Sequence, residues 1–379
     1  MRHKIIKILR KKFLICSINS SSYGNACFDL LRYYIIGKKK NIKIIIANAS
    51  EIEKFNLYYL LSPENNLLPQ ENANFLIKIC CYIINRFKLY DHHYYNIDFR
   101  KFLSQESINL KINKTRRYSF DFFINEYKIQ NISKIVVIHI RNSSDKIALK
   151  HDLRNNSTKN YTKVISYLIS LNYFVIRIGD PKMDKIYIND NKFIDLPFTK
   201  YSNTNIELDL IKRSSFFIAC DSGPYMLPFF FNVPLIIVNV INIFSLFPLR
   251  RFDYFIFKKI YDNKGNLLNI ESMLDNPYLK EKFSGVYKIE ENSEDDILCI
   301  VKDFLNLQNK SDKTTYQTKE TLKVVECLSS ITKIYEQSNK FKKVWGTSKP
   351  FIGSGSLSSS FSKKNSLIFK KRRTNRSIT

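Results

Sequence analysis

Three arginines and a histidine carry the chemistry that can be read first. His139 and Arg141 close the run KIVVIHIR, Arg154 and Asn155 follow in HDLRNN, and Arg177 sits in FVIRIGD ahead of Gly179 and Asp180. A guanidinium is a rigid fork of donors that fits phosphate or carboxylate oxygens. The stretch FFIACDSGP adds Ser222 and Gly223 in a turn whose backbone N–H groups can cradle a pyrophosphate. Together these residues point to an anionic, nucleotide-like ligand. Each piece also has a plain structural reading. Arg141 can form a salt bridge at a domain junction, and Arg177 can be a paired core ion. Asp152 can be a loop or capping residue. His139 is a general base, a donor to the ligand, or a satisfied inward side chain. The SG and GP pairs are ordinary turn signals, and only their place after a strand and before a helix raises them.

Such residues need elements to hold them. Four apolar runs at 134–140, 174–178, 215–219 and 234–240 each finish in polar, Gly, Asp or Asn residues, with Asn239 at the end of the last. A shorter strand is expected at 193–195. Helical spacing at 161–171, 206–213 and 225–231 separates the runs. This is the pattern of a parallel sheet that binds its ligand at the strands' carboxyl ends. Upstream, the sequence predicts a strand at 13–18, a Ser-rich turn at 19–25 holding Tyr23, Gly24 and Asn25, and a helix at 26–36. A second strand at 43–47 and helices at 51–62, 71–90 and about 120–127 follow. A helix at 293–307 ends the compact region. The expected organisation is an N-terminal domain over 1–130, a C-terminal domain over 131–310, a helical segment over 311–345 and a flexible tail over 346–379.

Composition narrows the classes. The 61 Lys and Arg against 34 Asp and Glu give a net charge of +27, so polyanions and anionic membranes are attracted. No nucleic-acid recognition motif accompanies the charge, and its densest cluster, Lys370–Arg373, falls in the tail. Nucleic acid is therefore not the expected partner, whereas a peripheral contact with an anionic membrane fits. The 7 Cys form no CxxC pair, as in a cytosolic protein with reduced thiols, and zinc is not expected. The N-terminal apolar stretch is too short and interrupted for a signal peptide or a spanning helix. The absence of GxGxxG and GxxxxGK argues against a dehydrogenase or a P-loop ATPase.

The order HIRNSSD at 139–145, HDLRNNSTKNYTKVISYLISLNYFVIRIGD at 151–180, CDSGP at 220–224, FNVPLIIVNV at 231–240, Lys258 and LLNIESML at 267–274 resembles a family of bacterial glycosyltransferases of surface-polysaccharide biosynthesis. The resemblance implies an α/β fold of two Rossmann-like domains facing across a cleft (GT-B-like), with a basic, flexible C-terminal tail. It implies transfer of a sugar from a nucleotide-sugar donor to a glycan or lipid-linked acceptor, in the cytoplasm or at the inner face of its membrane. Carried over by position, the donor side comprises Arg141, Arg154, Asn155, Arg177, Gly179, Asp180, Ser222, Gly223, Asn239 and Lys258. Tyr23, Gly24 and Asn25 fall on the acceptor side. The family's acidic residue after the first arginine is Asn142 here, so the base falls to Asp145 or Asp152, with His139 as a further catalytic candidate. The opening turn also lacks the family's arginine and has Asn25 where histidine is common. No cofactor is expected, and with no DxD motif in the core a metal is not required. Two other classes stay open: a non-catalytic relative that binds a glycan or nucleotide, and a basic nucleic-acid-binding protein.

Overall fold

The computed structural model describes residues 13–20, 22–73, 75–86, 108–112, 117–142, 153–202, 206–241, 249–275, 287–308, 321–324, 326 and 355–369. The chain divides into two compact units. One comprises Met1–Ser133, Asn203–Ser214 and Met226–Val233; the other comprises Lys134–Ser202, Ser215–Tyr225 and Pro234–Thr379.

In the first unit, β1 (Phe13–Cys16), β2 (Lys43–Ile46) and β3 (Leu67–Pro69) form a parallel sheet in that order. Helix α1 (Tyr23–Lys40) connects β1 to β2. It starts three residues earlier than its apolar spacing predicts, because the Ser22 hydroxyl accepts from Asn25 N at 3.3 Å and caps it. Tyr23, Gly24 and Asn25 are therefore its first turn, not a loop. The helix ends at Asn41 in the left-handed region (φ 49°), and Lys38, Lys39 and Lys40 complement its negative end. The stretch expected as a helix at 51–62 folds instead as 3-10 turns at Ala49–Phe55 and Leu57–Leu60. Asn56, with φ 59°, breaks the run between them. Helices α2 (Phe75–Arg86) and α3 (Arg117–Glu126) follow.

The second unit is built on a seven-stranded, all-parallel sheet. Strand β4 (Ile135–His139) is an inner strand of it, followed in the chain by α4 (Thr162–Ser170), β5 (Phe174–Ile178) and β6 (Phe193–Asp195). Helices α5 (Ile206–Arg213) and α6 (Leu227–Phe230) belong to the first unit and flank β7 (Phe216–Cys220) in the chain. Beyond β8 (Leu235–Val240) come β9 (Tyr254–Phe257), β10 (Lys259–Tyr261), α7 (Ile270–Asp275), β11 (Lys288–Glu290) and α8 (Glu294–Gln308). The sheet order is β12-β9-β8-β7-β4-β5-β6, with β12 at Ser356–Leu357; β10 and β11 form an antiparallel pair. Every residue of β4, β7 and β8 is buried, which is why these strands read as unbroken apolar runs. Helix α8 packs against α4, and its Phe304 meets Phe216 at 4.9 Å between ring centroids. Ser293 and Asp296 cap α8 reciprocally, the Asp296 carboxylate accepting from Ser293 N at 3.1 Å and Ser293 Oγ from Asp296 N at 3.2 Å.

The flexible tail is corrected over 355–369. Residues Ser356–Leu357 add an edge strand alongside β9, and helix α9 (Ser359–Lys364) packs against α8. Asp303 on α8 accepts from Ser358 Oγ at 2.6 Å, Ser360 N at 2.9 Å and Ser360 Oγ at 2.6 Å. Leu357, Phe361 and Ile368 are buried. A Ser-rich segment with few apolar groups reads as disordered in isolation. Here most of those few, though not Leu367, are buried in a core that distant elements supply, and one carboxylate gathers two of the serines. Gly355 fits because a Cβ there would stand 2.4 Å from Leu249 Cβ. Most of the helix expected over 311–345 lies outside the described residues. Among the described residues no helix is long and apolar enough to cross a membrane.

Candidate functional site

The carboxyl ends of β4, β5, β7, β8 and β9 converge on a buried polar region within the second unit. Beyond β4, Arg141 N donates to Cys220 Sγ at 3.0 Å, tying this end to that of β7. Asn156 N donates to Arg141 O at 2.8 Å, and Asn156 Nδ2 to Arg154 O at 2.7 Å, so the 153–157 loop folds against the end of β4. Lys258, just past β9, donates through Nζ to Asn155 O at 2.7 Å. Glu291 Oε2 takes Ser157 N at 2.8 Å and Asn160 Nδ2 at 3.0 Å. Lys258 Nζ is thus held by a backbone carbonyl, and the main chain of Arg141 is fixed at the end of β4.

Asn239 shows how the sheet opens. It is fully buried and left-handed (φ 57°), at the irregularity between β8 and β9. Asparagine tolerates this backbone better than most residues. Its main-chain N–H is taken by Asn292 Oδ1 and its Oδ1 by Asn292 N, both at 2.6 Å. The buried Asn239 side chain interacts with the Tyr161 phenol. His139 Nδ1, Asn156 Oδ1 and Arg177 Nη2 are buried with no hydrogen-bond partner among the described residues. Each such group costs about 1–3 kcal/mol if nothing meets it. They lie toward the carboxyl ends of the strands, where parallel sheets can bind ligands.

The electrostatics of this region are cationic. Burial, then Arg177 and Arg141, push His139 down to about 3. The imidazole is therefore held in its neutral form, as a weak base able to hydrogen-bond. Burial pushes the Cys220 thiol up to about 12, so it is a thiol acceptor for Arg141 N and not a nucleophile. Burial also raises the Tyr161 phenol well above its ordinary value.

The other predicted residues divide. Arg177 is fully buried in register with Asp195 on the neighbouring strand. Its Nε meets Asp195 Oδ1 at 2.7 Å and its Nη1 donates to Asp184 O at 2.6 Å. It is a paired core ion with one nitrogen left over. Asp180 is an exposed turn residue whose Oδ1 accepts from Lys182 N at 2.8 Å. Gly179 precedes it at φ +149°, where a Cβ would lie 2.8 Å from Met183 Sδ. Ser222 is buried and its carbonyl accepts from Tyr225 N at 3.0 Å. The helix expected at 225–231 is a 3-10 turn, Gly223–Met226, followed by the four residues of α6. So short a helix has little dipole, and the cradle at Ser222 and Gly223 loses that support. Arg154 is exposed. Asp145 and Asp152 lie outside the described residues. In the first unit, Tyr23 packs edge-on against Phe55 at 5.3 Å between centroids.

Asn156, Tyr161, Glu291 and Asn292 belong to the site and were not singled out from the sequence. Asn156 and Tyr161 lie in a stretch that already held candidates. Asn292 had no local signal, its partner Asn239 lying 53 residues away. Among the described residues no group of three or more His, Cys, Asp or Glu could hold a metal ion.

No family model matches the chain, and no curated protein does. Among solved structures, a glycosyl transferase family 9 protein from Veillonella parvula is similar at 12% identity, covering 58% of this chain and 64% of that one with a TM-score of 0.27. The iron-containing dodecameric heptosyltransferase TibC in complex with ADP-D-beta-D-heptose is similar at 16% identity, covering 63% and 62% with a TM-score of 0.33. TibC from enterotoxigenic E. coli is also similar at 16% identity, covering 63% and 61% with a TM-score of 0.32. The chain spans less than two thirds of the length of each of these structures. Identities and TM-scores this low assign no activity to the chain.

Proposed function

We propose that the protein is a glycosyltransferase that moves a sugar from a nucleotide-sugar donor to a glycan or lipid-linked acceptor in surface-polysaccharide synthesis. The observation that carries this reading is the set of buried polar atoms at the sheet's carboxyl ends, His139 Nδ1, Asn156 Oδ1 and Arg177 Nη2, that have no hydrogen-bond partner among the described residues, together with the cations Arg141 and Lys258 at neighbouring strand ends. The order of motifs from His139 to Lys258 supports it. As the bond from sugar to phosphate breaks, negative charge grows on the departing nucleotide. Arg141 and Lys258 would stabilise that charge, and a donor such as Arg177 Nη2 would orient the ligand. The acceptor hydroxyl forms the new glycosidic bond, and Asp145 or Asp152 would take its proton. The neutral His139 is suited to a hydrogen bond and not to that proton. The contact with an anionic membrane and the cytoplasmic location belong to the same reading.

Thermal unfolding against nucleotides and nucleotide sugars, at fixed salt, tests it. One nucleotide family is expected to raise the melting temperature of the native chain and not that of Arg141→Ala. Donor turnover then separates an enzyme from a non-catalytic binder. No nucleotide effect, with stabilisation by any polyanion, would sink the proposal and favour a nucleic-acid-binding protein.

A further inference from the structure

The buried pair of Arg177 and Asp195 directs further hydrogen bonds to one loop. Besides the contact between Arg177 Nε and Asp195 Oδ1, Arg177 Nη1 donates to Asp184 O at 2.6 Å and Asp195 Oδ2 accepts from Ile186 N at 2.8 Å. Asn142, just past β4, donates through Nδ2 to Asp184 Oδ2 at 2.8 Å. Residues 184–186 are thus pinned from the carboxyl ends of β4, β5 and β6. A buried ion pair adds little stability, because desolvation offsets much of its attraction. It is well suited to fixing a loop in one place.

That loop holds out an aromatic ring. Ile186 is buried, whereas Tyr187 is 83% exposed. Lys185 Nζ stands 5.4 Å from the Tyr187 ring centroid and 5.7 Å from that of Phe198, in the turn after β6. Arg177 Cζ stands 5.6 Å from the Phe198 centroid. Cations and rings alternate from the buried Arg177 through Phe198 and Lys185 to Tyr187, and each neighbouring pair attracts through the ring quadrupole. A lone surface tyrosine is ordinary. This one has a cation against its ring and a clamped loop beneath it, so little freedom is left to lose on binding.

We propose that Tyr187 is the surface on which the heterocyclic base of a bound nucleotide stacks, with Lys185 and Phe198 supporting the ring and the Arg177–Asp195 pair positioning the loop. This rests on reading the neighbouring strand ends as a nucleotide site. Asn142, which grips the loop, is the chain neighbour of Arg141, so the base and the phosphates of one nucleotide have partners on adjoining segments. A pyranose ring would cover a tyrosine too, but the cations around this one favour an anionic ligand. Stacking requires only a flat face, and it is the exposed ring that supplies it.

Calorimetric titration at fixed salt tests this, with UDP, GDP, ADP and CDP and with inorganic pyrophosphate, which has no base. The diphosphate that binds the native chain most tightly should bind Tyr187→Ala about tenfold more weakly. Tyr187→Phe, which keeps the ring, should restore most of the affinity, and pyrophosphate should bind all three proteins alike. In Tyr187→Trp the added emission should be quenched by that nucleotide and not by pyrophosphate. The proposal is overturned if Tyr187→Ala binds the nucleotide like the native chain, if Tyr187→Phe is as weak as Tyr187→Ala, or if pyrophosphate loses as much affinity as the nucleotide. In each of those cases the native chain still binds a nucleotide and the site itself stands. A native chain that binds none of the four overturns both.

Discussion

Two sets of strand ends, one in each unit, are completed in opposite ways. Beyond β1 and β2, polar groups answer one another. Asn48 holds both the N–H and the C=O of Ile18 at 2.8 Å, and Glu51 accepts from Asn48 and Ser20. Asp29 takes Asn19 N at 2.8 Å. At the carboxyl ends of β4 and β5, His139 and Arg177 each keep a buried polar atom with no hydrogen-bond partner among the described residues. The first arrangement closes a loop onto its sheet. The second leaves hydrogen-bonding capacity for something else, in a region where Arg177 and Arg141 disfavour further positive charge. Similar local topology therefore does not mean similar purpose; the balance of donors and acceptors tells the two apart.

The largest effect that would break this contrast concerns pH. The folded pKa of His139 is depressed to about 3, so below its ordinary value the unfolded chain binds a proton that the folded chain refuses. Stability is then full above pH about 6.5 and falls by roughly 1.4 kcal/mol per pH unit down to about 3. Denaturant unfolding across this range should show the slope in the native chain and a flatter one in His139→Gln. Equal slopes would mean that this end of the sheet is not the desolvated cationic region described above.

Next in size is the buried ion pair. Arg177→Met leaves Asp195 without its cation and is expected to cost about 3–5 kcal/mol in chemical denaturation. Adding Asp195→Leu should recover much of that loss, since the stranded carboxylate goes too. In the first unit, Asn48→Ala removes both bonds to Ile18 and should cost about 1–3 kcal/mol. Its nucleotide affinity, measured by calorimetry, should stay unchanged. Lys258→Met should do the reverse, weakening nucleotide binding about tenfold, or about 1.4 kcal/mol, with a smaller effect on stability. Should Asn48→Ala weaken binding and Lys258→Met leave it alone, the two regions have been assigned the wrong way round.

Much of the frame was legible because burial writes itself into composition. Strands β5 and β6 follow from short apolar runs, and the parallel sheet from runs alternating with helices. The start of α1 was misplaced by three residues, since the cap depends on which serine of four turns its hydroxyl back. The segment at 355–369 was misread because its order depends on Asp303, which lies more than 50 residues earlier. Arg177 kept both a structural and a binding reading until the register with Asp195 gave two of its nitrogens to the core.

The sequence by itself determined the alternation of apolar strands and helices, the cationic character, and the gathering of Arg, Asn and Lys near strand ends. Those features come from periodicity and residue type, which are local. Only the tertiary structure decided which of these polar groups are satisfied. Asn239 meets Asn292, Arg141 meets Cys220 and Lys258 meets Asn155 across separations of 53, 79 and 103 residues. Hydrogen-bond satisfaction is settled over a few ångströms in space, and no pattern along the chain records it.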